Sequence, residues 1–142
     1  AKKYETHNLG RTYGIFQSEK IVAYITLTCG EVVAGDDAQF IAANAQEDVF
    51  YPYKQYPAVK IARLAVDHRF GKLGLGRNLV NLALGVAKGT ICPAVGCRFV
   101  MVDAKASATK FYERCGLTML DTTENRSRSS PVMFLDLNKV ED

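Results

Sequence analysis

Apolar and polar residues alternate along the first part of the chain. Tyrosine, isoleucine, phenylalanine and valine recur at near-alternate positions over residues 11–19 and 20–28, with a polar stretch around Ser18-Glu19-Lys20 between the two segments. Alternation of this kind is typical of half-buried strands, so the pattern predicts a β-hairpin. Residues 36–49 are rich in alanine and polar side chains and lack a β-branched run, which predicts a short helix or helical loop.

The rest of the chain predicts strands in alternation with helices. Residues 56–66 and 98–104 are apolar on both faces, as buried strands are, and residues 132–137 predict a last strand after the polar loop TTENRSRSS. Residues 74–87 predict a helix, because their apolar side chains recur every three or four positions. These side chains are Leu75, Leu79, Leu82, Ala83 and Val86. Residues 107–116 predict a shorter helix with one apolar side, which ends at Gly116. That side carries Ala108, Phe111, Tyr112 and Cys115.

Length and composition fit one compact domain. The chain has 142 residues, 48% of them hydrophobic, and contains no internal repeat, linker or low-complexity tract. We therefore expect residues 1–142 to form a single α/β domain with a mixed sheet. The formal charge of +3 suits a phosphate-bearing partner but does not require nucleic acid.

The cysteines indicate a reducing compartment rather than a metal site. Those at positions 29, 92, 97 and 115 form no C-x-x-C pair, and only His7 and His68 could add imidazole ligands. We expect buried, reduced thiols in a cytoplasmic protein and no metal. We also expect no membrane association, because no signal-like segment opens the chain and no apolar run reaches the length of a bilayer. The chain begins with Ala rather than Met, which leaves open whether another element precedes it.

The stretch RLAVDHRFGKLGLGRNLV, residues 63–80, leads from a predicted strand through a glycine-rich turn into a helix. Such a turn gathers unpaired N–H groups and the positive end of the helix dipole, which attract phosphate, and the glycines let a pyrophosphate approach the backbone. Lys72 and Arg77 add positive charge. The spacing fails the Walker pattern, because Arg77 and Asn78 follow Gly76, and it reverses the G-x-G-x-x-G order of dinucleotide sites. A tight turn without a ligand is the alternative.

Two motifs resemble those of the GNAT superfamily of N-acetyltransferases. The turn is similar to the acyl-CoA pyrophosphate loop, Q/R-x-x-G-x-G/A, with Gly74 and Gly76 matching and Gly71 standing where the pattern has Gln or Arg. Downstream, VDAKASATKFYERCGL is similar to the second signature, A-x-x-F-Y-E-x-x-G-F/L. The residues that meet it are Ala108, Phe111, Tyr112, Glu113, Gly116 and Leu117. The resemblance covers residues 58–120 and implies a mostly antiparallel central sheet flanked by helices.

The resemblance implies transfer of the acetyl group of acetyl-CoA, as co-substrate, to a primary amine by direct attack. It implies that the pantetheine arm binds the central strand and that the pyrophosphate binds the turn. The implied cofactor-binding residues are Leu64, Ala65, Val66, Lys72, Leu73, Gly74, Leu75, Gly76, Arg77 and Phe111. The motifs are particularly similar to those of the acetyltransferase toxins of bacterial toxin–antitoxin pairs, which acetylate the α-amine of aminoacyl-tRNA. From that similarity we expect the same acceptor, a homodimer and an antitoxin as candidate partner.

Tyr112 is the candidate catalytic residue. A tyrosine pKa near 10 and a thiol pKa near 8.5 make full proton donation to the thiolate uphill by about 2 kcal/mol, so we expect a hydrogen bond to the leaving sulfur. Packing beside Phe111 is the alternative. The central strand carries no carboxylate to act as base, which favours an α-amine acceptor with a pKa of about 7.7–8.0. Asp103 is a candidate proton relay, or else a solvated or helix-capping residue.

Two further groups have open roles. Arg126 and Arg128 in the polar loop, with Lys2, Lys3 and Lys54, could meet tRNA phosphates, or they could only solubilise an exposed, flexible loop. An aromatic group before the central strand could line the acceptor mouth, form a subunit contact or pack under a loop. Its members are Phe50, Tyr51, Tyr53 and Tyr56. The sequence also leaves open a small-molecule amine or protein N-terminus as acceptor, and a non-catalytic acyl-CoA-binding regulatory module.

Overall fold

A six-stranded sheet with flanking helices is formed by the residues that the computed structural model describes, 2–33 and 53–140. The strands are β1 (Arg11–Gln17), β2 (Lys20–Val33), β3 (Gln55–Val66), β4 (Phe99–Asp103), β5 (Thr118–Met119) and β6 (Val132–Asp136). The helices are α1 (Lys2–Thr6), α2 (Leu75–Val86), α3 (Cys92–Val95), α4 (Thr109–Arg114) and α5 (Thr123–Arg126). Short 3-10 turns cover His68–Phe70, Ala106–Ala108 and Leu137–Lys139, and a π-helical turn, Ala87–Ile91, joins α2 to α3. The helix expected over residues 36–49 lies outside the described residues.

The sheet is mixed and mostly antiparallel, as expected. Its strands lie in the order β1-β2-β3-β4-β6-β5. β3 and β4 run parallel, with Ala58 opposite Phe99 and Ile61 opposite Val102, and the other neighbouring strands run antiparallel. A parallel pair needs a crossover connection, which the helical run from α2 to α3 provides. The α/β architecture predicted from the sequence is therefore confirmed.

Each face of the central strands packs into its own apolar cluster. On one face, Leu79, Val80 and Ala83 of α2 pack with β-strand side chains such as Ile61. On the opposite face, the ring of Phe99 packs edge-to-face with the rings of Tyr56 and Phe134, with 5.5 Å between centroids in each pair. Burial on both faces explains why β3 and β4 are apolar at consecutive positions.

The buried face of α2 differs from the expected one. Leu82 was expected to face the core but is 38% exposed, whereas Val80 is fully buried. The other four predicted residues, Leu75, Leu79, Ala83 and Val86, pack on the core as expected, and Gly76 and Val80 are buried with them.

Several element boundaries also differ from the prediction. β2 continues past Thr28 to Val33, where it pairs with the beginning of β3. Gly30 and Glu31 interrupt the apolar alternation there, which hides the extension. β5 and α5 contain two and four residues, too few to show a period in sequence. α1 precedes the hairpin and was likewise not predicted.

The helical run Leu75–Val95 is longer than the predicted helix. Its 21 residues are apolar enough to cross a membrane by length and composition alone, so the expectation that no run reaches that length is wrong. Core helices of soluble proteins meet the same criterion, and Leu79 and Val80 of this helix pack against the sheet. The four cysteines are free thiols; Cys97 is buried, but Cys29, in the extension of β2, is exposed rather than buried as expected.

Candidate functional site

The central strands β3 and β4 part at one point of the sheet. Their parallel pairing ends at Ile61 and Val102, whereas β3 continues to Val66 and remains paired with β2 on its other side. A shift in the β2–β3 register leaves Ala62 as the extra residue of a β-bulge. Within the described structure no strand pairs with the β4-facing edge of residues 62–66. Backbone groups along this edge are free to bind an extended ligand.

The side chains at the end of β3 point away from the unpaired backbone edge. Leu64 and Val66 are half-buried and pack against the apolar cluster on the α2 face. Ala65 lies opposite Tyr24 of β2 and is exposed. Core packing and backbone binding are therefore compatible at Leu64 and Val66, because the side chains and the open edge point in different directions.

The glycine turn presents a group of free backbone donors. Leu73 donates its N–H to the carbonyl of Phe70 (3.2 Å), and Asn78 donates to the carbonyl of Gly74 (3.1 Å). In the described structure no acceptor is found for the N–H groups of Lys72, Gly74, Leu75, Gly76 and Arg77. The last three belong to the first turn of α2, where the helix dipole adds partial positive charge. The exposed side chains of Lys72 and Arg77 add two full charges beside these donors.

The three glycines of the turn differ in how strongly the structure requires glycine at their positions. Gly74 caps α2 with φ 73°, a left-handed conformation that favours glycine. A Cβ on Gly76 would lie 3.1 Å from two ring atoms of Phe111 and 3.6 Å from Val66. Gly71 has ordinary helical angles, and a Cβ there would make only a 3.5 Å contact with the carbonyl of His68.

Gly76 thus makes room for Phe111, not only for a ligand. Its close contact joins the two sequence motifs, since Phe111 belongs to α4 and Gly76 to α2. The expectation that a side chain at position 76 would primarily obstruct a pyrophosphate needs this correction, because it would first displace Phe111. The backbone N–H of Gly76 remains among the free donors.

An ion pair shapes the chain just before the turn. The carboxylate of Asp67 accepts hydrogen bonds from the backbone N–H of Arg69 (3.0 Å) and from its guanidinium Nη2 (2.9 Å). The side-chain hydrogen bond from Arg69 is the main cause that lowers the pKa of Asp67 to about 2. Arg69 therefore neutralises a carboxylate that would otherwise oppose an anion bound at the turn.

Tyr112 is buried in the cluster on the α2 face. Its ring packs edge-to-face on Phe111, with 5.1 Å between centroids, and only 6% of the residue is exposed. Burial raises the pKa of Tyr112 to about 12, so the hydroxyl is protonated at neutral pH. Within the described structure this hydroxyl has no hydrogen-bond partner. Every fully buried side-chain oxygen in that part of the chain does have a partner, so the Tyr112 hydroxyl is not fully buried and reaches accessible space. It is a neutral donor without an acceptor.

Asp103 forms an ion pair that the sequence did not indicate. Its Oδ2 lies 2.8 Å from Nζ of Lys60 in β3, and its Oδ1 lies 3.5 Å from Nη2 of Arg128. Asp103 does not cap the following 3-10 turn, whose preceding residue is Lys105. Lys60 is the residue that sequence reasoning missed. The available signal was the presence of two cations, Lys60 and Arg63, within a largely apolar central strand.

The polar loop after β5 is more ordered than an exposed, flexible loop would be. Buried Asn125 donates from Nδ2 to the carbonyls of Leu120 (2.6 Å) and Val132 (3.0 Å) and accepts from the N–H of Val132 (2.8 Å). Arg126 pairs with Asp121, and Arg128 with Asp103. Both arginines remain about half-exposed.

The other candidates for an acceptor surface lie apart from one another. Lys3 of α1 lines a cavity of about 470 Å³ that Lys60 and Asp103 also line. Tyr56 packs in the cluster opposite α2, where its hydroxyl accepts the N–H of Tyr53 (2.8 Å), so it does not line an acceptor mouth. Phe50 and Tyr51 lie outside the described residues.

Comparison with known proteins identifies a family and a fold. A model of the acetyltransferase (GNAT) family matches residues 2–117. No curated protein matches this chain. Similar solved structures include AtaT complexed with acetyl-methionyl-tRNA, with a TM-score of 0.74 and 22% identity over 96% of this chain and 76% of that one.

Two further solved structures have the same fold. A tyrosine-to-phenylalanine variant of KacT gives a TM-score of 0.76 and 24% identity, and the match covers 96% of this chain and 76% of that one. A tyrosine-to-phenylalanine variant of the AtaT toxin, bound to the C-terminus of the antitoxin AtaR and acetyl-CoA, gives 0.69 and 20%, over 96% and 74%.

Proposed function

Because the chain belongs to the GNAT acetyltransferase family, it is an acetyl-CoA-dependent N-acetyltransferase, and we propose that its acceptor is the α-amine of an aminoacyl-tRNA. Acetyl-CoA supplies the acetyl group as an activated thioester. The observation that carries the assignment of acetyl-CoA to this site is the set of five N–H groups that have no acceptor in the described structure, at the turn beside the open edge of β3.

These groups fit two adjoining parts of acetyl-CoA, its pyrophosphate and its pantetheine arm. A pyrophosphate is recognised by N–H groups at a helix N-terminus, and the free donors from Lys72 to Arg77 are of this type. The amide groups of a pantetheine arm can pair with the unpaired edge of β3 at residues 64–66. We assign Phe111 a supporting role, in which its contact with Gly76 holds the turn in place.

Tyr112 is suited to assist the leaving thiolate without giving up its proton. With a tyrosine pKa of about 12 and a thiol pKa near 8.5, full transfer would be uphill by about 5 kcal/mol. A hydrogen bond from the neutral hydroxyl to the sulfur avoids that free-energy difference. The buried ring fixes the direction of the hydroxyl, and the absence of a partner for it in the described structure leaves it available.

The charges at the point where β3 and β4 part support the proposed acceptor, because the carboxylate found there among the described residues is not free to act as a base. The carboxylate nearest the parting of the strands, Asp103, is already paired with Lys60 and Arg128. An α-amine, with a pKa of about 7.7–8.0, is partly unprotonated at neutral pH, whereas a lysine side chain with a pKa near 10.4 is not. The similarity in fold to AtaT, whose structure contains acetyl-methionyl-tRNA, supports the same choice.

The remaining assignments extend this proposal. The arginines at 126 and 128 are candidates for tRNA phosphates, because exposed ion pairs are weak and a phosphate can replace Asp121 or Asp103. A cytoplasmic homodimer controlled by an antitoxin is proposed from the resemblance to toxin acetyltransferases. The structure of the AtaT variant with the antitoxin AtaR supports the choice of partner.

The experiment is a thiol-release assay with acetyl-CoA and a panel of amines. The panel contains charged tRNA, uncharged tRNA, a polyamine and a peptide with a free N-terminus. We expect release with charged tRNA at least one hundred times faster than with the other amines at equal concentration. Faster turnover of the polyamine or the peptide would replace the proposed acceptor, and no release with any amine would favour a non-catalytic acyl-CoA-binding module.

A further inference from the structure

The ion pair between Lys60 and Asp103 lies at the point where β3 and β4 part. Ile61 and Val102 form the last pair between β3 and β4. Lys60 directly precedes Ile61, and Asp103 directly follows Val102. The side chains of the pair are about one-third exposed, so a ligand can reach them. The pair therefore borders the open edge of β3, to which we assigned the pantetheine arm.

Lys60 and Asp103 occupy the face of the sheet opposite Tyr112. Ile61 and Val102 belong to the cluster on the α2 face, with Tyr112. Neighbouring positions of a strand point to opposite faces, which puts Lys60 and Asp103 on the other side. A Cβ on Gly30 would meet Lys60 and Met101, whose side chain belongs to the second cluster, and this confirms the assignment. An amine that approaches from this side does not compete with Tyr112 for the thioester.

Among the described residues, the groove on that face carries positive charge around one carboxylate. It encloses about 470 Å³ and is lined by the cations Lys3, Lys60 and Arg63, by Asp103, and by Tyr24 and Thr28 among others. A second cavity of about 400 Å³, on the other side of the pair, instead contains Glu31 and Glu124. The pair separates a cationic groove from a more acidic one.

From this arrangement we infer that the cationic groove binds the aminoacyl end of the acceptor, with Asp103 contacting the amine and Lys60 contacting a nearby phosphate. The inference rests on the proposed function. The 3′ end of an aminoacyl-tRNA carries an α-amine, mostly protonated when it binds, and, a few bonds away, negative phosphodiesters. The amine gives its proton to water before it attacks the thioester. The groove offers the opposite charges side by side. A polyamine or a peptide N-terminus lacks the anionic part, so it would leave Lys60, Arg63 and Lys3 without a partner.

The ion pair also neutralises the charges of Lys60 and Asp103 until the acceptor arrives. Solvent reaches this partly exposed ion pair and screens it. An incoming amine can therefore replace Lys60 beside Asp103, and a phosphate can replace Asp103 beside Lys60. Asp103 and Lys60 act as positioning residues in this account, because they hold the acceptor and do not touch the leaving sulfur.

The test uses steady-state acetylation of charged tRNA at saturating acetyl-CoA, over a range of salt concentrations. Asp103→Asn should raise KM for charged tRNA at least tenfold without changing its salt dependence. Lys60→Met should raise KM at low salt by a similar factor and reduce the slope of log KM against log salt by about 0.7, the value for one phosphate contact to a single strand. Glu19→Gln removes an exposed carboxylate in the turn between β1 and β2, outside the groove lining; it is the matched control and should behave like the wild type.

A purely structural pair gives a different pattern. The double variant Lys60→Asp with Asp103→Lys restores the attraction between the two positions but reverses the charges that face the acceptor. Recovery of wild-type KM by this exchange, or an unchanged salt slope in folded Lys60→Met, would overturn the inference. Failure of the proposed function is distinguishable from these outcomes, because in that case the wild type would not acetylate charged tRNA at all.

Discussion

Removal of a single oxygen atom, in Tyr112→Phe, isolates the role of the hydroxyl. The phenylalanine ring keeps the edge-to-face contact with Phe111 and the burial of the residue in the α2-face cluster. Because the hydroxyl has no hydrogen-bond partner in the described structure, its loss breaks no contact within that part of the protein. We expect the melting temperature to change little and the affinity for acetyl-CoA to persist.

The magnitude of the catalytic loss follows from the state of the hydroxyl. A pKa of about 12 keeps Tyr112 protonated, so its contribution is a hydrogen bond to a developing thiolate rather than a completed proton transfer. Hydrogen bonds to charged groups contribute about 1.5–3 kcal/mol, which corresponds to a fall in turnover of about 10- to 150-fold. The raised pKa also predicts that the wild-type rate does not fall through ionisation of Tyr112 below about pH 11.

The assay is single-turnover thiol release with saturating acetyl-CoA and charged tRNA, which separates the chemical step from product release. Tyr13→Phe is the matched control, because Tyr13 is a partly buried tyrosine that packs against the same cluster from β1. A Tyr112→Phe protein that folds, binds acetyl-CoA and turns over at the wild-type rate would refute this role. A loss of melting temperature with no loss of rate would show that the tyrosine only packs.

Three other expectations concern the turn and the thiols. Gly76→Val should destabilise the protein by about 1–3 kcal/mol in urea unfolding, because its side chain overpacks against Phe111, whereas Gly71→Ala should unfold like the wild type; equal stability of the two variants would contradict the packing account. Cys115→Ala should lower the stability of the protein more than its turnover. Intact-mass spectrometry of the wild type after incubation with acetyl-CoA should find no acetyl group on Cys115, because burial raises the pKa of its thiol; a trapped thioester there would contradict direct transfer. Asp67→Asn should lower the melting temperature near pH 6, because a carboxyl with a depressed pKa stabilises the fold only while it is ionised. The difference in melting temperature from the wild type should shrink as the pH falls from about 4 towards 2, and a difference that does not depend on pH would rule out that cause.

Periodicity predicted the elements that bury a continuous face and missed those that long-range contacts create. β3, β4 and α2 each carry enough apolar residues to show their period, and the structure confirms all three. β5 and α5 depend instead on Asn125, whose side chain bonds to the backbone of Leu120 and Val132. A single buried asparagine gives no periodic signal, so these two elements could not be predicted locally.

The candidate site shows the same division. The glycine spacing pointed to the turn, and the structure adds that Gly76 accommodates Phe111 from the other motif. The partnership of Lys60 and Asp103 depends on the parallel pairing of β3 and β4, which joins segments far apart in the chain. Pairing of this kind, and the face on which it puts a charge, appears only once the strand order and register are known.

The central claim is that this protein transfers an acetyl group from acetyl-CoA to the α-amine of an aminoacyl-tRNA. The most direct measurement incubates the protein with isotopically labelled acetyl-CoA and charged tRNA, digests the tRNA with nuclease, and weighs the aminoacyl-adenosine fragment by mass spectrometry. The account predicts one labelled acetyl group on the α-amine of that fragment, and none when the tRNA is uncharged. An unmodified aminoacyl-adenosine, recovered while the same preparation acetylates another amine, would contradict it.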